Sequence, residues 1–239
     1  MKDYYSVAVD GPSGAGKSSL ARRCASALGF LYVDTGAIYR TVGLAAVRAE
    51  VSSRDCDGVA GLLPHLTIRM AYDAAGEQRM YLNGEDVSET IRLPEISICA
   101  SDVSAQPAVR QFLLKMQREL AEENHVIMDG RDIGTVVLPD ADLKIFLTAS
   151  AEARAERRLK ELREKGVQTD YESVLEDIRY RDRQDSEREI APLRKADDAI
   201  LLDTTELNFE ESFAAMSQII IEHLYLGREA SVTEQKRSE

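Results

Sequence analysis

A glycine-rich turn between a short apolar run and a helical pattern constrains this sequence more than any other feature. Residues 5–10 form the apolar run, and residues 11–18 then read Gly-Pro-Ser-Gly-Ala-Gly-Lys-Ser, which fits the pattern GxxxxGK[ST]. Apolar side chains recur at helical spacing over residues 18–28, and Gly29 supplies a stop signal. The motif is specific when it follows a strand and opens a helix, and the sequence predicts both.

The residue types of this loop suit the phosphates of a nucleotide. Glycines let successive backbone N–H groups turn inward around a phosphate, and a helix N-terminus adds free donors and partial positive charge. Lys17 can reach the β- and γ-phosphates, and a hydroxyl of Ser18 or Ser19 can ligate bridging Mg²⁺. We therefore predict binding of ATP or GTP by the following residues: Gly11, Pro12, Ser13, Gly14, Ala15, Gly16, Lys17, Ser18 and Ser19.

Composition is that of an ordinary globular protein. The 239 residues suffice for one sizeable core, and 44% of them are hydrophobic and 30% charged. No stretch approaches the roughly 18 apolar residues of a membrane span, and no signal peptide is recognisable, so we expect a cytoplasmic protein without a membrane partner. A net charge of −12 disfavours a nucleic-acid partner and requires that any anionic ligand be held by clustered arginines.

Apolar runs alternate with helical patterns, which indicates an α/β fold with a parallel sheet. Further strands are predicted at residues 30–33, 125–128, 143–147 and 200–202, and further helices at 39–49, 107–122 and 208–225. An antiparallel insert is predicted over 67–82, with turn signals at Gly76 and Asn83-Gly84. Residues 150–188 read as two charged helical segments broken near Gly166, and 227–239 as a polar tail.

Charged residues follow two of the predicted strands. Arg40 lies just beyond the second strand, and Arg131 and Asp132 lie just beyond the strand that ends near Asp129. Open α/β sheets bind ligands at the carboxyl ends of their strands, so these positions are candidates for a site. Asp129 also occupies the place of the acid that holds Mg²⁺, directly or through water, although a structural turn aspartate fits the position as well.

Arginines in the charged hairpin are spaced regularly. Arg154, Arg157 and Arg158 fall on one helical face, and Arg181, Asp185 and Arg188 follow i, i+4, i+7 spacing on another. Both sets could point into one cleft, but solvated helix faces carrying many glutamates are the alternative. A phosphate loop alone also fits switches, motors, transporters and small-molecule kinases.

Four segments together resemble the bacterial cytidylate kinase family. They are VDGPSGAGK at 9–17, DTGAIYR at 34–40, DGRDIGTVV at 129–137 and IAP at 190–192, and the resemblance runs from about residue 6 to 225. It implies a P-loop NTP hydrolase-type three-layer fold with a central parallel sheet. It also implies one domain over 1–226 with a monophosphate-binding insert at about 63–103 and an arginine-rich lid at about 153–188, in a monomer.

The resemblance implies a role for each matching residue. Thr35, Arg110 and Asp132 would read the pyrimidine; Ser101, Arg181 and Asp185 would hold the sugar; Arg40, Arg131 and Arg188 would bind the acceptor phosphate. Lid arginines, with Arg154 and Arg158 as candidates, would complete the ATP site on closure. Lys17, Arg131 and Arg188 would then stabilise the transferring group as catalytic residues.

The implied reaction is direct in-line transfer from ATP to CMP or dCMP, with Mg²⁺ and without an enzyme-bound phosphoryl intermediate. The sequence departs from the family twice: Ser18-Ser19 stand where glycine followed by threonine or serine is frequent, and Thr35 stands where serine is common. Two alternatives stay open. One is a kinase for UMP, AMP or shikimate, and the other is a nucleotide-dependent switch whose hairpin contacts a macromolecule.

Overall fold

A five-stranded parallel sheet forms the centre of the molecule. The structure is a computed structural model that describes residues 4–164 and 166–226. Its strands are β1 (Ser6–Asp10), β2 (Leu31–Asp34), β3 (Ile68–Tyr72), β4 (Gln78–Leu82), β5 (Glu85–Asp86), β6 (Val126–Gly130), β7 (Leu143–Thr148) and β8 (Ile200–Asp203). The central sheet has the order β2-β6-β1-β7-β8, with every pair parallel. The predicted parallel sheet is confirmed.

Helices occupy most of the remaining chain. They are α1 (Lys17–Leu28), α2 (Thr35–Arg48), α3 (Cys56–Leu62), α4 (Pro94–Ser104), α5 (Pro107–Glu123), α6 (Ala151–Glu164), α7 (Tyr171–Glu187) and α8 (Phe209–Ile221). The predicted start of α2 near residue 39 is wrong, because the Asp34 side chain caps the helix by accepting from the Ala37 N–H. Neither α3 nor α4 was predicted: two glycines weaken the helical signal of α3.

Strand β1 shows why helices cover both faces of the sheet. Val7 and Val9 point to the cluster formed with α1 and α8, and Ala8 points to the cluster formed with α2 and α5. All three side chains are fully buried, as expected for a parallel strand covered on both sides. These layers confirm the predicted three-layer α/β fold. None of the helices described here is long and apolar enough to cross a membrane.

The insert after α2 is an antiparallel sheet of three strands, β3-β4-β5. Its turns use left-handed backbone at Gly76, Asn83 and Gly84, as the turn signals predict. Met80 and Leu82 of β4 are buried in the same apolar cluster as α2. The insert therefore belongs to the same apolar cluster as α2 and the central sheet. The short strand β5 was not predicted from the sequence.

Helix α4 lies against α2 at a glycine. A Cβ atom on Gly43 would meet Ala100 N and Cys99 Cβ at 3.1 Å each, so a larger residue would have to push the two helices apart by a few tenths of an ångström. Gly43 is buried within α2, while Cys99 and Ala100 belong to α4. The close contact sets the position of α4 relative to the central sheet.

Side chains from the insert cover the outer edge of β2. Gln78 Oε1 accepts from Asp34 N at 2.8 Å, and Gln78 Nε2 donates to Asp34 O at 3.2 Å. The Tyr72 hydroxyl donates to Tyr32 O at 2.7 Å. Since β2 is the last strand of the central sheet on this side, these side chains satisfy backbone groups that no neighbouring strand reaches.

Helices α6 and α7 form the predicted charged hairpin, broken by Gly166 at a φ of 76°. The hairpin has its own apolar cluster, formed by Ala155, Leu159, Val174, Leu175 and Ile178. The predicted cap of α8 is also present, because Asn208 and Glu211 form a reciprocal capping box. The predicted polar tail, residues 227–239, lies outside the described residues.

Candidate active site

The phosphate loop joins β1 to α1 as the sequence predicts. Gly16, at a φ of 87°, directly precedes Lys17, which is the first residue of α1. A Cβ atom on Gly11 would lie 1.9 Å from Leu147 O, so the loop passes directly over the end of β7 and requires glycine there. The Lys17 side chain is buried and donates from Nζ to Pro12 O at 2.8 Å.

Lys17 lies among charged groups. Burial, followed by the nearby Arg131 guanidinium, lowers the pKa of its ammonium group, while Asp129, Asp185 and Asp10 oppose this shift. An anion bound beside Nζ favours the charged ammonium form. A phosphate held by the loop would therefore stabilise the charge that Lys17 needs.

Asp129, at the end of β6, accepts hydrogen bonds through both carboxylate oxygens. Ser18 Oγ donates to Oδ2 at 2.8 Å, and the Tyr32 hydroxyl donates to Oδ1 at 2.9 Å. Burial and the nearby Asp34 charge raise the pKa of Asp129, and the two donors oppose them. A hydroxyl and a carboxylate are oxygen ligands that fit Mg²⁺, and Ser18, rather than Ser19, is the serine that bonds the acid.

Asp10 was not singled out by sequence reasoning. Its buried carboxylate accepts from Ile133 N and Gly134 N at 2.7 Å each, at the start of a π-helical turn, Ile133–Val137. Burial raises the pKa of Asp10 to about 6, although both N–H groups oppose the shift. In the sequence, Asp10 could have been recognised as a charged residue at the end of a buried strand. In the structure, its hydrogen bonds fix the loop that follows β6.

That loop presents Arg131 and Asp132, which lie near the charged hairpin. Arg131 Nε donates to Asp185 Oδ2 at 2.7 Å, and Arg110 Nη2 donates to Asp132 Oδ2. Burial raises the pKa of Asp132, and the neighbouring arginines, Arg110 first, oppose it. Four of the predicted acceptor-binding residues therefore form two ion pairs at the carboxyl end of β6.

Arg188 joins this network from the segment after α7. Its Nη2 lies 3.8 Å from Asp132 Oδ1, and its Nε donates to Ala191 O at 2.6 Å. Burial lowers its pKa, opposed by Asp132 and then Asp185. The i+7 spacing predicted that Arg188 lies on a face of α7, and this prediction is wrong. Helix α7 ends at Glu187, and Arg188 has extended backbone with a ψ of 138°.

Other predicted residues lie in different environments. Arg40 donates to Asp34 Oδ2 at 2.7 Å, so the side chain that caps α2 also holds this arginine. The Thr35 hydroxyl is buried and donates to Asp129 O at 2.7 Å. Ser101 on α4 and Arg181 on α7 are exposed, and the structure does not bring them into contact with Arg131 or Asp132.

The arginines of α6 do not share one cleft, contrary to the interpretation of their spacing. Arg154 is buried; it donates to both carboxylate oxygens of Asp182, at 2.9 and 2.6 Å, and to Ser13 O in the phosphate loop at 3.0 Å. Arg157 donates to Thr204 O and thereby joins α6 to the end of β8. Arg158 is exposed and paired with Glu161 on its own helix.

Known proteins match this chain over most of its length. Residues 7–222 match the family Cytidylate kinase. A cytidylate kinase from Caldicellulosiruptor saccharolyticus is 50% identical over 205 residues, covering 86% of this chain and 90% of that protein. The cytidylate kinase of Lactobacillus johnsonii is 50% identical over 214 residues, covering 90% and 93%. The one from Syntrophotalea carbinolica is 47% identical over 222 residues, covering 93% and 94%, and the chain accordingly belongs to the cytidylate kinase family.

Proposed function

We propose that this protein transfers the γ-phosphoryl group of ATP to CMP and dCMP, giving ADP and CDP or dCDP. The observation that carries the proposal is the position of Arg131: it follows Gly130, which pairs with Asp10 just before the phosphate loop, and its Nε donates to Asp185 of α7 at 2.7 Å. Arg131 thus stands between the phosphate loop and the cluster of Arg110, Asp132 and Arg188. Membership of the cytidylate kinase family supports the choice of acceptor.

The donor end of the site is the phosphate loop. Its backbone N–H groups and the N-terminus of α1 would hold the β- and γ-phosphates, and the Lys17 ammonium would neutralise charge on the transferring group. Arg154 contacts the loop through Ser13 O, so the hairpin lies against the segment that would hold the donor phosphates. Arg158 would reach ATP only if it left Glu161, with which it is paired on α6.

Ser18 and Asp129 would hold Mg²⁺, Asp129 directly or through water. Held by these residues, the ion would supply positive charge to neutralise the phosphates of the nucleotide. Ser18 Oγ and Asp129 Oδ2 are 2.8 Å apart, so one small cation, or one of its waters, can reach both. Ser18, and not Ser19, donates to Asp129, which favours Ser18 for this role.

The acceptor end would use the residues around β6. Arg110 and Asp132, held in a buried ion pair, present a donor and an acceptor that can match the edge of a pyrimidine. Arg40, Arg131 and Arg188 would share the acceptor phosphate. The next residues complete this assignment: Thr35 for the base, and Ser101, Arg181 and Asp185 for the sugar.

Positioning and charge neutralisation would then do most of the catalysis. Two phosphate groups repel each other, so cations on both sides of the transferring group are needed to align them. Closing the hairpin over the loop would exclude water, which otherwise attacks the activated phosphate. We assign residues 1–226 to one kinase domain, with 63–103 as the monophosphate-binding insert and 153–188 as the lid.

We also propose that the protein acts in the cytoplasm as a monomer on small nucleotides. The family resemblance supports this choice, and the net charge of −12 argues against a nucleic-acid partner. The molar mass of the purified protein, measured by light scattering with and without nucleotides, tests whether it is a monomer. A stable dimer would contradict it.

Coupled ADP release tests the reaction. Purified protein is given ATP and Mg²⁺ with CMP, dCMP, UMP, AMP or GMP in turn, and with shikimate as an unrelated acceptor. We expect rapid ADP release confined largely to CMP and dCMP. Rapid ADP release with another acceptor would show that the acceptor is not CMP or dCMP. Slow ADP release that is independent of any acceptor would indicate a nucleotide-dependent switch protein instead.

A further inference from the structure

The Tyr32 hydroxyl holds the Asp129 carboxylate on the oxygen that Ser18 does not use. Tyr32 Oη donates to Oδ1 at 2.9 Å, and Ser18 Oγ donates to Oδ2 at 2.8 Å. Tyr32 and Asp129 are both buried, so little bulk water competes for the bond between them. A carboxylate bonded through both oxygens cannot rotate about its side-chain axis without losing a partner.

Tyr32 is itself held in place on β2. Strand pairing puts it level with Ile127 of β6, so it is a diagonal neighbour of Asp129 on the same face of the sheet. The Arg22 guanidinium lies 5.3 Å from the centre of the Tyr32 ring. Tyr72 donates to the Tyr32 carbonyl from the other side of the strand. The hydroxyl that reaches Asp129 therefore sits on a well-fixed ring.

We propose that Tyr32 is a positioning residue that orients the Asp129 carboxylate toward Ser18, so that the pair is ready for the metal of the bound nucleotide. This inference rests on the proposed function of Ser18 and Asp129. Tyr32 acts through Asp129, whose Oδ1 accepts a hydrogen bond from the Tyr32 hydroxyl, and the same hydroxyl also interacts with Ser18. Loss of its hydroxyl leaves Oδ1 buried without that donor and frees the carboxylate to turn.

The test measures how much Mg²⁺ tightens ADP binding. Calorimetry gives the affinity for ADP in Mg²⁺ and in EDTA, for the unaltered protein, for Tyr32→Phe and for a matched control, Tyr72→Phe. Each variant loses one phenolic hydroxyl near β2, but only Tyr32→Phe loses a bond to Asp129. We expect the Mg²⁺-dependent tightening to fall about tenfold in Tyr32→Phe, on the scale of a hydrogen bond to a charged group.

Two other readouts should then stay nearly constant, and a third should change. In Tyr32→Phe, the Mg²⁺-free affinity for ADP and the KM for CMP should remain within about twofold, because the ring and its packing are kept. The Mg²⁺ concentration that gives half the maximal rate should rise, while kcat at saturating Mg²⁺ changes less. Tyr72→Phe should keep the full tightening by Mg²⁺.

Two outcomes would overturn the role of Tyr32: unchanged tightening in Tyr32→Phe, or an equal loss in Tyr72→Phe, which would indicate general loosening of β2. Ser18→Ala separates this role from the metal site. If Ser18→Ala keeps the tightening, the metal assignment is wrong and the role of Tyr32 falls with it. If the unaltered protein shows the tightening but phosphorylates no CMP, the proposed reaction fails while the orientation of Asp129 by Tyr32 stands.

Discussion

Arg131 Nε donates to Asp185 Oδ2 at 2.7 Å and joins the loop after β6 to the end of α7. The two residues are proposed to hold different parts of one acceptor, its phosphate and its sugar. A guanidinium carries five N–H donors, so Arg131 can keep this bond and still offer donors to a phosphate. The ion pair thus fixes the direction of an arginine that we propose to be catalytic, and it couples this arginine to the hairpin.

Loss of either Lys17 or Arg188, the two cations that we assign to catalysis, should abolish most of the activity. We expect Lys17→Ala and Arg188→Ala each to lower kcat about a thousandfold, the scale for an essential cation in phosphoryl transfer. Steady-state kinetics with CMP checks this, and circular dichroism confirms that the variants are folded. Arg48→Ala, which removes an exposed pair with Glu85, is the control and should change kcat less than about twofold. Near-normal turnover in a folded Lys17→Ala protein would remove its catalytic role.

The buried ion pair between the two hairpin helices should contribute to stability. Asp182→Ala leaves the Arg154 guanidinium buried without its carboxylate, and we expect a loss of about 2 to 3 kcal/mol in the free energy of unfolding. Urea denaturation measures the loss. Glu161→Ala removes the exposed partner of Arg158 and should cost less than about 0.5 kcal/mol. Equal effects of the two substitutions would contradict the importance of burial.

A methyl group at Gly43 should force α4 away from α2. Because the atoms that it would meet at 3.1 Å, Ala100 N and Cys99 Cβ, belong to a packed helix, we expect Gly43→Ala to destabilise the protein by about 1 to 2 kcal/mol. The KM for CMP should rise, since Ser101 follows Ala100 on α4. Gly61→Ala in α3 meets no atom within 4 Å and should stabilise by up to about 1 kcal/mol. Thermal unfolding compares the two, and equal stability changes would refute the steric argument.

The buried carboxyl of Asp10 should make the free energy of unfolding depend on pH. Its pKa is raised from 3.8 to about 6, so the folded state binds this proton more tightly than the unfolded state. The stability that this group contributes is complete below about pH 4 and is lost as pH rises through about 6. Relative to Asp10→Asn, the unaltered protein should lose up to about 3 kcal/mol over this range. Urea unfolding at several pH values checks this, and parallel pH profiles would contradict it.

Local sequence signals predicted the centre of the fold well. The phosphate loop, the alternation of strands and helices, and the insert are each encoded within a few residues by glycines, periodicity and turn signals. The start of α2 was missed because Asp34 looks like the end of a strand, although it is also the cap of the following helix. Helix α4 was missed because Ile98, which is exposed, obscures the stripe of Ile96, Ala100 and Val103 in the sequence, and because its position depends on contact with Gly43.

The pairings within the site could not be read from the sequence in the same way. Arg131 and Asp185 are 54 positions apart, and Asp10 bonds a loop more than 120 positions away. Spacing along α7 could not reveal that the helix stops before Arg188. Such contacts depend on how distant segments meet at the edge of the sheet, whereas family resemblance named most of the residues without their partners.

The bonds that Tyr72 and Gln78 make to β2 have a consequence for self-association. An outermost strand with open backbone donors and acceptors is a template on which another chain can add a strand, and aggregation can follow. Here a phenol and an amide occupy the Tyr32 carbonyl and both backbone groups of Asp34. A strand from another molecule would first have to displace the insert from this edge. The insert, which is proposed to bind nucleotide, therefore also hinders strand pairing between β2 and another molecule.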